Sequence, residues 1–142
     1  MPDTDGWKEY PAVMGEYEKM RDDIMTSARA LGLSEAQEVK LELGIEEMLV
    51  NIINYAYDGT GFVWIQTARE GDFFRMDFVD YGKPFDPLEK DMRHPDDVPI
   101  EEREEGGFGI FLVREFFDKM QYAYEDFEGK KANHLSLWLK ID

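Results

Sequence analysis

The sequence predicts a two-layer α/β sandwich, an α/β fold in which helices lie on one face of a mixed, mostly antiparallel sheet. Three observations carry that expectation. Two runs, Phe62 to Ala68 and Phe73 to Val79, alternate with a period of two, and the tight Glu70-Gly71-Asp72 link between them reads as an antiparallel hairpin. Other stretches place apolar residues three or four apart, the spacing of a helix with a buried stripe. There is no internal repeat and no sign of a second domain, so the 142 residues are expected to form one domain, 1–142, long enough to bury a core.

Trp7 to Ala12 could make a short strand. From Val13 the apolar positions Val13, Tyr17, Met20, Ile24, Ala28 and Leu31 predict an amphipathic helix that stops at Gly32. Ser34-Glu35-Ala36-Gln37 has the form of a capping box and opens a second helix, expected to run to about Tyr57. That helix has an apolar row at Leu41, Ile45, Met48, Leu49, Ile52 and Ala56. A second row at Val39, Leu43, Val50 and Ile53 implies that it is covered over most of its circumference. Asp58-Gly59-Thr60-Gly61 is turn chemistry, and the hairpin follows. Lys83 to Glu105 has no period, four prolines and an excess of acid. Gly109 to Met120 reads as a third helix. Tyr122 to Glu125 and His134 to Ile141 read as two strands joined through Glu128-Gly129-Lys130-Lys131.

Composition excludes several classes. A formal charge of −16 argues against nucleic acid, which needs clustered Lys and Arg. No apolar run spans a bilayer and no signal peptide is visible, so no membrane partner and a cytoplasmic location are expected. Without cysteine there is neither a disulfide framework nor a thiolate metal site. His94 and His134 are too few and too far apart to suggest a metal pair, and surface roles are expected for both. No Ser/His/Asp or Cys/His nucleophile arrangement is visible.

One polar stripe interrupts the second helix: Lys40, Gly44, Glu47, Asn51, Asn54 and Asp58, stacked on one face. It is either the solvent face of an amphipathic helix or a set of polar groups that bind something. Two later stretches bear on the choice. Asp80-Tyr81-Gly82 closes a strand, and Gly106-Gly107-Phe108-Gly109 opens a helix without the Lys of a Walker loop. Missing side chains there let backbone N–H groups converge on a phosphate.

In that order, Glu-x-x-x-Asn, Asp-x-Gly and Gly-x-Gly resemble the ATP site of the GHKL (Bergerat-fold) ATPases, and within them the anti-sigma-factor serine/threonine kinases. The resemblance covers roughly residues 32 to 141 and implies ATP and magnesium as cofactors. Asn51 would ligate the magnesium, and Asn51, Asn54, Asp80, Gly82, Gly106, Gly107, Phe108 and Gly109 would line the nucleotide site. Asp80 would accept a hydrogen bond from the adenine amino group, with Gly82 letting the base approach the backbone. Glu47 would be the general base toward a serine or threonine hydroxyl; Glu46 faces about 100° away. The stretch 83–105 would be the ATP lid. The implied partners are a sigma factor or similar regulator and a phosphorylated anti-anti-sigma (STAS-like) protein, and a homodimer is allowed. The alternatives are a nucleotide-dependent protein-binding regulator without kinase activity, and an acidic interaction protein whose boxes no longer bind nucleotide.

Overall fold

The computed structural model describes residues 6–89 and 107–141. Five strands form one sheet in the order β1-β2-β3-β5-β4, and every neighbouring pair is antiparallel. The mixed sheet expected from the sequence is therefore antiparallel throughout these residues. β1 (Lys8–Pro11) is an edge strand on β2 (Phe62–Glu70). β2 turns at Gly71, in the left-handed region at φ 61°, into β3 (Phe73–Asp80). β4 (Lys119–Phe127) and β5 (Lys130–Lys140) form the second hairpin. Its two turn residues, Glu128 and Gly129, both have positive φ (60° and 87°), as a type I′ turn requires.

The alternation sorts the two faces. Val63, Ile65, Phe74, Met76, Phe78, Leu135, Leu137 and Leu139 point to the helices and are buried with them in the main core. Trp64, Val79 and Ala132 form a smaller cluster on the other face, under Trp7, Tyr81 and Phe127. Over the main core lie α1 (Tyr17–Ala30), α2 (Glu35–Asn51) and α3 (Gly107–Phe116). α1 is preceded by a 3-10 turn at Met14–Glu16 and ends at Gly32, φ 98°. Among the described residues no helix is long and apolar enough to cross a membrane.

Four local expectations are corrected. Ser34 caps α2 by accepting from the Gln37 backbone N–H at 3.3 Å, but the Gln37 side chain does not return the bond. It donates to the Lys140 carbonyl at 2.7 Å and ties the helix start to the end of β5. α2 does not run regularly to Tyr57, because its last turn, Ile52–Ala56, is π-helical. The second apolar row is covered only in part: Leu43 and Ile53 pack against the main core, but Val39 is 71 % exposed. The third helix stops at Phe116, and Met120, read as helical, lies in β4 opposite Leu137. An apolar residue at that spacing fits either period, and pairing with β5 decides. Of the expected lid, 83–105, only its beginning to Glu89 lies among the described residues; His94 and Gly106 fall outside them.

Candidate functional site

α2 carries the polar stripe across the sheet, and α3 covers part of it. At Gly44 an added methyl group would lie 2.5 Å from the Phe117 ring, so the glycine lets the segment after α3 press onto α2. One turn on, Gly109 in the first turn of α3 abuts the Glu47 carboxyl so closely that any side chain there would have to displace it. The stripe is thus no solvent face along this length. Glu47 is half-buried, and burial, then the neighbouring Glu46, push its carboxyl above the usual carboxylate range.

Beside this contact lies an open pocket of about 440 Å³ between the end of α2 and the inward positions of β3 and β5. Its walls are apolar at Met48, Ile52, Phe78 and Leu135, and its polar groups are few: Asn51, Asp80 and Asn133, with Lys83 at the rim. Such a lining, mostly apolar with a few fixed polar groups, suits an organic ligand. Asn51 is the unusual member. Its side-chain nitrogen is buried and has no hydrogen-bond partner among the described residues. A buried amide left unpaired is costly unless a ligand satisfies it.

Asp80 follows Phe74, Met76 and Phe78 on the inward side of β3 and is only 5 % exposed. Its Oδ1 accepts from the Gly82 backbone N–H and from Asn133 Nδ2, each at 2.9 Å. Those bonds use one oxygen and leave Oδ2 uncommitted among the described residues. Burial raises the Asp80 carboxyl above its ordinary value, while the two donors hold it down. Gly82 is needed for a different approach from the one expected. A side chain there would collide with the Ala56 backbone, whose carbonyl accepts from the Lys83 N–H at 3.0 Å. The glycine therefore locks the end of the π-helical turn onto the loop after β3.

Asn133 is the pocket residue that the sequence reading missed. It pairs with Asp80 across β3 and β5 and is 5 % exposed. Its amide nitrogen also reaches the Gly82 and Lys83 carbonyls (3.3 and 3.0 Å), and its oxygen accepts from the Phe85 N–H (3.1 Å) and from the Tyr122 hydroxyl. One side chain thus fixes both Asp80 and the loop after it. The signal was available: Asn133 falls in phase with Leu135, Leu137 and Leu139, so it is a polar residue at a core-facing position. Tyr55, exposed at the pocket mouth, was also missed.

Of the expected site residues, the structure brings Asn51 and Asp80 into one pocket, with Gly82 at its edge. It sets Glu47 against Gly109 at the start of α3. Gly107 begins that helix and Phe108 lies in its first turn. Asn54 is exposed and does not line the pocket, because the π-helical turn shifts it off the α-helical phase. Among the described residues no group of three or more His, Asp or Glu side chains surrounds a metal position. Magnesium that arrives on a triphosphate keeps several waters and needs few protein ligands; of Asn51 only the side-chain oxygen could be one, the orphaned nitrogen being a donor suited to a phosphate oxygen.

On the outer face of the sheet His134 is no simple surface residue. Its Nε2 faces Asp77 Oδ1 at 2.8 Å and its Nδ1 faces Glu125 Oε1 at 3.0 Å. Ser136 donates to the same Asp77 oxygen at 2.5 Å, and Arg75 binds both oxygens at 3.0 and 3.1 Å. Serine and histidine both converge on the aspartate, so this is not a nucleophile triad, in which the histidine stands between them.

An antiparallel sheet under three helices, with a carboxylate and an amide unpaired among the described residues in one apolar pocket beside the start of α3, defines an α/β sandwich with a built ligand pocket. The chain belongs to the histidine kinase-like ATPase domain family, which it matches over residues 10–137. It is similar to the serine-protein kinase RsbW of Oceanobacillus iheyensis, 31 % identical over 101 residues, covering 66 % of this chain and 63 % of that one. It is also similar to the serine-protein kinase RsbW of Halalkalibacterium halodurans, 27 % identical over 97 residues, covering 66 % and 60 %. The match spans less than two thirds of the length of these relatives.

Proposed function

We propose that this chain is an ATP-dependent protein serine/threonine kinase of the partner-switching type. It would act as an anti-sigma regulatory factor that phosphorylates an anti-anti-sigma-type partner. The observation that carries the reading is the buried side-chain nitrogen of Asn51, a donor unpartnered among the described residues and facing the same pocket as Asp80, next to Glu47 at the start of α3. The names of the two relatives support the choice of serine chemistry.

In this reading Asp80 accepts from the adenine amino group through Oδ2, held in orientation by Asn133 and the Gly82 N–H at Oδ1. Asn51 contributes to the magnesium-triphosphate site, and the first turn of α3 offers backbone N–H groups to phosphate oxygens. Magnesium, when bound, would neutralise charge on the transferring phosphoryl group. Glu47 takes the proton from the attacking hydroxyl. Its raised carboxyl pKa makes it a better base, and transfer should rise with pH as Glu47 ionises. Residues 83–105 would serve as the nucleotide lid.

The test is incubation with magnesium-ATP and a candidate anti-anti-sigma domain, read by intact mass. The parent should add one phosphate to the partner. Glu47→Gln should keep nucleotide and partner binding but slow transfer by about 10²–10⁴-fold. Equal rates would remove Glu47 from the role of base. A parent that binds the partner yet transfers nothing would favour a nucleotide-dependent binding regulator.

A further inference from the structure

The π-helical turn after α2 ends at Tyr57, where the backbone becomes extended (φ −120°, ψ 145°). The Tyr57 hydroxyl donates to the Phe62 carbonyl at 2.6 Å and accepts from the Tyr81 N–H at 2.8 Å. Val63 faces Asp80 at the last rung of the β2–β3 ladder, so Phe62 and Tyr81 stand at the next one. Their carbonyl and N–H, which an unbroken antiparallel ladder could join directly, are bridged by the hydroxyl instead. The ring that carries it is fixed as well. A methyl group added at Gly61 would stand 2.4 Å from three of the Tyr57 ring atoms, and the Gly61 carbonyl accepts from the Ala12 N–H at 2.9 Å.

This bridge sits where the parts of the pocket meet. Ala56, just before Tyr57, lines the pocket and accepts from the Lys83 N–H at 3.0 Å. Asp80 lies just before Tyr81 and is held from the β5 side by Asn133. Tyr57 holds the same loop from the β2 side and ties it to the turn that follows Asn51. We propose that Tyr57 is a positioning residue of the nucleotide pocket. By bridging the open rung it sets where Asp80 leaves the sheet, and so where Oδ2 stands relative to Asn51. The inference rests on the nucleotide reading of the pocket and deepens it. Tyr57 does not line the pocket, so its effect on a ligand passes through Asp80.

Tyr57→Phe keeps the ring against Gly61 and removes the bridge. In the ligand-free full chain, residue-resolved hydrogen exchange should quicken by at least about tenfold at the Tyr81 and Lys83 amides, while Phe78 and Val79 stay protected. Calorimetry then compares magnesium-ATP with inorganic triphosphate and with purine riboside triphosphate, which lacks the amino group. Tyr57→Phe should weaken ATP by about tenfold and change the other two little. Gly61→Ala, which displaces the ring with its hydroxyl intact, should lower ATP affinity in the same selective way. Unchanged exchange at Tyr81 would overturn the bridge. Faster exchange with unchanged ATP affinity, or equal weakening of all three ligands, would reduce Tyr57 to a structural residue and overturn the positioning role. A parent that binds no ATP would overturn the nucleotide reading and the positioning role together, and the exchange result separates that failure from a failure of the bridge.

Discussion

Asn133 has a net effect that follows from its partners. Its removal leaves Asp80, two carbonyls, the Phe85 N–H and the Tyr122 hydroxyl without their shared neighbour. Asn133→Ala should therefore cost about 1–3 kcal/mol in urea unfolding and weaken adenine nucleotides more than inorganic triphosphate. Equal weakening of both ligands would reduce Asn133 to a structural residue. His134 makes a second prediction, in pH. The Asp77 bond, opposed by burial and helped by Glu125, raises its pKa. A raised folded-state pKa means stability that is complete below the unfolded value and is lost as pH rises through the folded value. Asp77 works in the opposite range. Burial would raise its pKa, but the His134, Arg75 and Ser136 bonds prevail and lower it, so its contribution is lost only as pH falls through that lowered value. Thermal midpoints should decline from roughly pH 6.5 upward, and His134→Gln should flatten that limb. An unchanged slope in the variant would rule the network out as its source.

The elements that place the site are joined at glycines, and Gly44 tests the joint between α2 and the end of α3. Alanine there adds about 1 kcal/mol of helix propensity. The methyl group must however displace the buried Phe117 ring, and overpacking typically costs about 1–3 kcal/mol. Gly44→Ala should destabilise on balance, and Phe117→Leu should relieve most of the cost in a double-mutant cycle. A stabilised Gly44→Ala would show that the ring yields freely. This scale is also where the sequence was least legible. The α3 to β4 boundary was misplaced because Met120 satisfies both a helical and a strand pattern until Leu137 is opposite it. The π-helical turn leaves no local signature, and it moved Asn54 off the stripe that its spacing implied. Half of the capping box was lost to a long-range acceptor, the Lys140 carbonyl, which local spacing does not reveal.

At the scale of the whole molecule, the sheet and its helices were readable because β2, β3 and β5 alternate cleanly and one face must be buried. The Asn51 and Asp80 pair was readable through the resemblance of three ordered boxes, and the fold sets both in one pocket. The clamp at Asn133 was not drawn out, although its inward phase announced a buried polar group. The charge of −16 remains the feature that most opposes a polyanionic ligand. The first turn of α3 and Lys83 at the rim, with magnesium in the proposed reading, would be the local counterweights. The central claim is that the pocket of Asn51 and Asp80 takes magnesium-ATP. It is tested most directly by thermal titration of the parent and Asp80→Asn. The parent should gain about 2.7 kcal/mol at a hundredfold excess over its dissociation constant, while Asp80→Asn, still folded, should lose most of that response to ATP. No stabilisation at millimolar magnesium-ATP, or an equal response in the variant, would contradict the claim.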